Sequence, residues 1–165
     1  MIKIIYGKDT YRASQKIKEI IENYKALNKN KVILGYFDCK NDFYKFQDEF
    51  KTISIFGERK MAILTNFFSD STVQKDILKF LKNKKELTKN GDLILFYEQE
   101  KKETKNLLFN FLKKNSDFQT FDLLEGRDLF FWIEEEFKKY DTRAEKEVIE
   151  SLVNFVGNDL WLVSN

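Results

Sequence analysis

The sequence has no histidine and no proline, and its 165 residues include one cysteine, Cys39. Without histidine, the Ser-His-Asp and Cys-His arrangements that activate a nucleophile cannot form, and the commonest protein ligand of metal ions is missing. One cysteine cannot form a disulfide within the chain, so we expect Cys39 to serve as a small, partly buried apolar residue. Hydrolases that depend on histidine are therefore excluded.

Charge of one sign and long apolar runs are also scarce. The 29 basic residues nearly balance the 27 acidic ones, and the net charge of +2 is far below that of a dedicated nucleic-acid-binding domain. No apolar run approaches the roughly 18 residues that a membrane-spanning helix needs, and the N-terminus does not resemble a signal peptide. We expect a soluble, cytoplasmic protein without membrane contact, in which any contact with DNA is local.

The sequence does contain a regular alternation of short apolar runs and amphipathic stretches. An apolar fraction of 42%, with 17 phenylalanines, is ample for a hydrophobic core. Short apolar runs predict five strands, at residues 2–6, 32–37, 60–65, 92–97 and 118–121. Helical spacing predicts helices between them, the first capped by Asp9, the second by Asn41 or Asp42, the third by a residue within 69–71, and the fourth at 102–113.

This alternation predicts an α/β fold. The run DLILFY at residues 92–97 is apolar at consecutive positions, which is typical of a central strand covered on both faces. Consecutive parallel strands need a crossover connection, and each predicted helix supplies one. We therefore predict a five-stranded parallel sheet with helices on both faces, formed by residues 1–125.

The pattern changes to helices alone after residue 125. Residues 127–140 and 142–156 both have helical spacing, and Gly157 followed by Asn158 and Asp159 indicates a helix end and the cap of another helix. We assign residues 126–165 to the beginning of a second, helical domain. Because two or three helices seldom bury a core by themselves, we expect the chain to be part of a longer protein.

The positions that usually carry chemistry in such a sheet lack the expected motifs. The turn after the first strand reads YGKDTYR, and the next glycine after Gly7 is Gly35, so neither GxxxxGK[ST] nor GxGxxG is present. Glu98 follows the fourth strand without the second carboxylate that a metal-dependent NTPase needs. We expect no cofactor, no metal and no enzymatic activity. An α/β nucleotide-binding module or enzyme with an unrecognised site remains the alternative.

One stretch, TISIFGERKMAILTN at residues 52–66, contains apolar residues that the predicted core does not explain. Ile53 continues the helical stripe before it, whereas Ile55 and Phe56 stand between the helix end and the turn Gly-Glu-Arg-Lys. Exposed as a pair, they would form a binding site, with Gly57 as the turn that presents them. Packed beneath the loop, they would form only a local cluster, and the pattern leaves both possibilities open.

Four segments in this order resemble the delta subunit of the bacterial DNA polymerase III clamp loader: IIYGKDTYRASQKIKEI, ISIFGERKMAIL, DLLEGRDLFFWIEEEFKKY and FVGNDLWLVSN. The resemblance implies a degenerate AAA+ module that binds no ATP, followed by a helical lid, with the collar of full-length members absent. Trp161 stands where ATP-binding relatives carry an arginine. The implied partners are the sliding clamp and the other clamp-loader subunits, ATP-hydrolysing and delta-prime-like, with DNA contacted indirectly. The chain itself would be a monomer.

The resemblance also implies a role for the unexplained pair. The clamp-contacting hydrophobic residues of the family fall on Ile55 and Phe56, with Ser54 before them and Gly57 after them. In this family the contact opens one interface of the ring-shaped clamp during DNA replication. Ile55 departs from the pattern because leucine is commoner at that position, which would reshape the fit to the clamp pocket.

Overall fold

The computed structural model describes residues 1–52, 54–83, 91–99 and 106–164. Strands and helices alternate along the first three quarters of the chain, and helices alone follow. The elements in chain order are β1 (Ile2–Tyr6), α1 (Thr10–Leu27), β2 (Val32–Asp38), α2 (Cys39–Lys51), β3 (Arg59–Thr65), α3 (Ser71–Lys82), β4 (Leu93–Glu98), α4 (Leu107–Asn115), β5 (Asp117–Thr120), α5 (Gly126–Lys139), α6 (Lys146–Val156) and α7 (Leu160–Val163).

The five strands form one parallel sheet in the order β2-β3-β4-β1-β5. β4 lies at the centre, with Met61 of β3 opposite Leu93 and Ile2 of β1 opposite Ile94. Four consecutive residues of β4, Leu93 to Phe96, are buried, as the uninterrupted apolar run predicts for a strand with both faces covered. The predicted parallel sheet is confirmed.

Helices cover both faces of this sheet. Because side chains alternate along a strand, Met61 and Ile63 of β3 join one core, and Ala62 and Leu64 join the other. The first core packs against α1, and the second packs against α2, α3 and α4. The second core contains most of the buried rings, namely Tyr6, Phe37, Phe43, Phe46, Phe50, Phe67, Phe68 and Phe96. The predicted two-sided α/β architecture is confirmed.

The three C-terminal helices share a smaller core of their own. Leu129, Ile133, Ile149 and Leu160 are its fully buried residues. The ring of Tyr11, on α1, lies edge-on to Trp132 of α5 at 5.5 Å and to Trp161 of α7 at 5.0 Å. The helical segment therefore packs against the beginning of α1.

Several element boundaries differ from the sequence prediction. α2 begins at Cys39, and its cap is Asp38, whose carboxylate accepts a hydrogen bond of 3.0 Å from the Lys40 amide, instead of Asn41 or Asp42. Three residues with capping side chains lie within five positions there, so the pattern could not select one. α6 begins at Lys146, four residues later than expected. The predicted start of the fourth helix and Ile53 lie outside the described residues.

Within the part of the chain that the structure describes, no helix is both long enough and apolar enough to cross a membrane.

Candidate functional site

The candidate binding residues lie on the connection between α2 and β3. α2 starts where β2 ends and returns across the sheet, so this connection is at the edge where the parallel strands begin. Ligands of open α/β sheets usually bind at the opposite edge, where the strands end. We call residues 52–58 the apolar loop; of its members, only Ile53 is not described.

Ile55 and Phe56 are exposed to solvent on the apolar loop. Their exposed fractions are 89% and 75%, so neither side chain packs beneath the loop. Scattered exposed apolar residues are ordinary, but two large adjacent ones on a single turn form a compact apolar projection. Such a projection can fill a pocket in a protein partner.

Ser54 holds the apolar loop in a tight turn. Its Oγ accepts hydrogen bonds from the amides of Phe56 at 3.2 Å and Glu58 at 3.3 Å, and donates one to Oε2 of Glu58 at 3.0 Å. The Gly57 amide donates to the Ser54 carbonyl at 3.4 Å. A serine that binds amides two and four residues ahead is a common device for stabilising a turn. Ser54 thus shapes the backbone that carries the exposed pair.

Gly57 contributes a backbone conformation that other residues rarely adopt. Its φ is +71°, within the left-handed region. No atom lies within 4 Å of the position that a Cβ would occupy, so the need for glycine here is conformational and not steric. The predicted residues Ser54, Ile55, Phe56 and Gly57 therefore lie together on one turn.

A groove adjoins the apolar loop on the side of the edge strand β2. It has a volume of about 200 Å³ and is largely apolar, and its lining includes Ile33, Gly35, Phe37, Phe50, Thr52 and Lys60. The sequence pattern places Lys60 at the end of the Gly-Glu-Arg-Lys turn and at the start of a strand, and the burial of this lysine was not predicted from it. A signal was present, because Lys60 shares the alternation of Ala62 and Leu64 and so faces the core.

The opposite edge of the sheet, where nucleotides bind in related folds, contains an internal ion pair. The carboxylate of Asp9 is buried and caps α1, accepting hydrogen bonds from the amide of Arg12 at 2.9 Å and from its guanidinium at 2.6 Å. A helix N-terminus attracts anions such as phosphate, and here a side-chain carboxylate already occupies that position. Gly7 is also confined, because a Cβ there would lie 2.2 Å from the carbonyl oxygen of Phe121.

α7 closes the space beside this helix N-terminus. The indole nitrogen of Trp161 donates a hydrogen bond to Oγ1 of Thr10 at 2.9 Å. A mostly polar cavity of about 290 Å³ remains between the two helices, and Lys8 and Asp159 contribute to its lining. Across the described residues, no group of three histidine, cysteine, aspartate or glutamate side chains is placed to hold a metal ion.

Cys39 is buried at the beginning of α2. Burial, with the nearby carboxylates of Asp38 and Glu98 as smaller causes, raises the pKa of the Cys39 thiol well above its ordinary value. A reactive cysteine needs an exposed thiolate, so Cys39 packs as a small apolar residue. It is more deeply buried than the sequence suggested.

The fold is similar to those of solved replication proteins. A DNA clamp loader delta protein of Bacillus subtilis, YqeN, superimposes with a TM-score of 0.67 at 18% identity. The matched region covers 99% of this chain and 50% of the YqeN chain. DnaA of Aquifex aeolicus in complex with AMPPCP gives a TM-score of 0.56 at 15% identity, covering 99% of this chain and 53% of its own. Domain III of Thermotoga maritima DnaA gives a TM-score of 0.55 at 14% identity. The matched region covers 99% of this chain and 72% of the DnaA chain. These likenesses define an AAA+-like α/β fold.

The sequence itself identifies the family. The family model described as DNA polymerase III, delta subunit, matches residues 4–121, which is most of the chain. This protein belongs to the DNA polymerase III delta subunit family. The chain spans about half the length of the Bacillus subtilis structure. A comparison with curated protein sequences found no match.

Proposed function

We propose that this chain acts in DNA replication as the clamp-binding part of a clamp-loader delta subunit. Ile55 and Phe56 insert into a pocket of the sliding clamp, and Ser54 and Gly57 hold them in position. The observation that carries the proposal is the 89% and 75% exposure of these two side chains on a hydrogen-bonded turn, in a chain of this family. A globular protein gains nothing in its own folding from such an exposed pair.

Ring opening follows from differential binding and needs no chemistry by this chain. A subunit that binds one clamp protomer more tightly in the open shape shifts the ring towards opening by the ratio of its two affinities. A specific interface normally buries about 1,200 Å² or more in total, which exceeds the area of two side chains. The C-terminal half of α2 and the turn at residues 57–60 adjoin the pair and complete the contact.

The remaining parts of the chain fit the same role. We propose that residues 1–125 form the clamp-binding domain and that residues 126–165 begin the lid, which packs on α1 through Tyr11 and Trp161. The chain uses no nucleotide or metal of its own. Its other partners are the ATP-hydrolysing subunits and a delta-prime-like subunit of the clamp loader. DNA contact is indirect, and the protein works as a cytoplasmic subunit that is monomeric outside the complex.

Titration of this chain with the sliding clamp of the same source tests the proposal. We expect saturable binding in isothermal titration calorimetry that is insensitive to ATP and Mg²⁺. No heat and no co-migration at tens of micromolar protein would refute it. A parallel titration with ATP and Mg²⁺ alone addresses the alternative, because saturable nucleotide binding in the cavity beside Trp161 would favour a nucleotide-binding module.

A further inference from the structure

Lys60 is a buried lysine at the base of the apolar loop. It is the second residue of β3, with 9% of its surface exposed. Its ammonium group donates hydrogen bonds to the Thr52 carbonyl at 2.5 Å, to Thr52 Oγ1 at 2.6 Å, and to the Glu49 carbonyl. An ammonium group has three N–H donors, and these three acceptors match them.

The acceptors belong to the end of α2. The last carbonyls of a helix have no partner within the helix, and the helix dipole places partial negative charge there, so a cation is stabilised at this position. Thr52 adds a second link, because its Oγ1 also donates to the Glu49 carbonyl at 2.9 Å. Lys60 therefore caps α2 from outside the helix, at the residue where the apolar loop begins.

The backbone of Lys60 is fixed within the sheet. Its amide donates to the buried carboxylate of Asp92 at 2.8 Å, and its carbonyl accepts from the hydroxyl of Tyr24 at 3.3 Å. That hydroxyl has one proton, which the Lys60 carbonyl shares with the nearer Gly91 carbonyl at 2.8 Å. The backbone of Lys60 is thus held at the beginnings of β3 and β4, and its side chain joins this part of the sheet to the end of α2.

We propose that Lys60 is a positioning residue for the exposed pair Ile55 and Phe56. It closes the apolar loop at its base, because its ammonium group donates hydrogen bonds to Thr52. Thr52 is the first residue of the loop, and Lys60 lies just beyond the last one. A loop with fixed ends has fewer conformations, so less conformational entropy is lost when the pair binds a partner. The proposal rests on the proposed function, because it names a residue that organises the same clamp-binding loop.

A purely structural role is the competing explanation, since any buried ammonium needs hydrogen-bond partners. The two explanations differ in which part of the protein responds to substitution. Loss of a positioning residue releases the loop and weakens clamp binding while the sheet and cores persist. Loss of a merely structural residue lowers the stability of the whole domain without a selective effect on the loop.

The test compares Lys60→Met with the wild-type chain. Methionine retains an unbranched side chain of similar length and removes all three donors. Amide hydrogen exchange in the chain alone should become at least about tenfold faster at Phe56 and Glu58, whose amides are bound by Ser54, with little change in β1, β3 and β4. Clamp affinity should fall about tenfold, and the melting temperature should change by only a few degrees.

Two further variants complete the experiment. Lys18→Met, on the exposed side of α1, is the matched control and should change neither exchange nor affinity. Thr52→Val removes, from an exposed residue, the Oγ1 that accepts from Lys60 and donates to the Glu49 carbonyl, so it tests the link even if Lys60→Met does not fold. It should weaken clamp binding about threefold. The variant with both Thr52→Val and Lys60→Met should lose no more clamp affinity than Lys60→Met, because both substitutions act through one set of hydrogen bonds.

The outcomes separate the two proposals. Unchanged exchange at Phe56 and Glu58 in both Lys60→Met and Thr52→Val would overturn the positioning role, as would a uniform increase of exchange throughout the sheet. Selective release of the loop, together with a wild-type chain that does not bind the clamp, would refute the proposed function while the positioning of the loop by Lys60 stands.

Discussion

Replacing both Ile55 and Phe56 with alanine is the most direct perturbation of the proposed clamp contact. Because these side chains are 89% and 75% exposed, their truncation removes almost no buried apolar surface from the folded chain. Exposed substitutions usually change the free energy of unfolding by about 0.5 kcal/mol or less. For a chain of this size, that corresponds to a melting-temperature change of about 2 °C or less.

The expected effect on clamp binding is much larger. Transfer of a large apolar side chain from water into a pocket contributes about 1.5–3 kcal/mol. Fixing each side chain at an interface costs about 0.5–1.5 kcal/mol, so each should contribute about 1–1.5 kcal/mol in net terms and the pair about 2–3 kcal/mol. This free energy corresponds to an increase of about 30- to 150-fold in the dissociation constant.

Calorimetric titration of the clamp with both chains measures this difference, and thermal unfolding measures stability. The matched control is Leu107→Ala with Phe155→Ala, because these residues are 77% and 91% exposed and lie on α4 and α6, away from the loop. The control should bind as the wild type does. An equal loss of affinity in the control, or a fall of more than about 10 °C in the melting temperature of the loop variant, would refute the reasoning.

Two further predictions concern titrating groups. The hydrogen bond from Lys3 lowers the pKa of Asp117 below 3.8, so the native state binds fewer protons, and this stabilisation is present above pH 3.8 and is lost as pH falls through the lowered pKa. Lys3→Met should reduce the free energy of unfolding near pH 6 by about 0.5 kcal/mol or less because Asp117 is half-exposed, and this effect should become smaller as the pH falls below 3.8. An effect in urea unfolding that does not change with pH would contradict this. Because burial raises the pKa of the Cys39 thiol, reaction with a thiol reagent at pH 8 should be at least about 100-fold slower in the native chain than in denaturant, and rapid labelling of the native chain would show that the thiol is accessible.

The two edges of the sheet differ in ways that favour the proposed site. At the edge where the strands end, Asp9 and Arg12 neutralise each other at the beginning of α1, and Trp161 covers the adjoining helix turn. At the edge where the strands begin, the apolar loop projects large side chains into solvent. An internal ion pair weakens the attraction for a phosphate, whereas exposed apolar surface favours association with a protein.

The sequence alone determined the kinds and order of the elements and the residues that line the core. Apolar spacing records which side of a helix or strand faces the interior, so the alternation of five strands with helices predicts a two-sided parallel sheet. It also pointed to Ile55 and Phe56, because neither residue fits the periodicity of α2 before them or of β3 after them. Local patterns carry this information because they depend on neighbours within a few positions.

Tertiary structure alone decided which distant segments meet. The order of the strands depends on pairings such as Met61 with Leu93, and no local pattern encodes them. The exposure of Ile55 and Phe56 was ambiguous until the end of α2 and the beginning of β3 were placed together. The proposed role of Lys60 was hidden for the same reason, because its partners Thr52 and Glu49 lie 8 and 11 residues earlier and approach it only when the chain turns back.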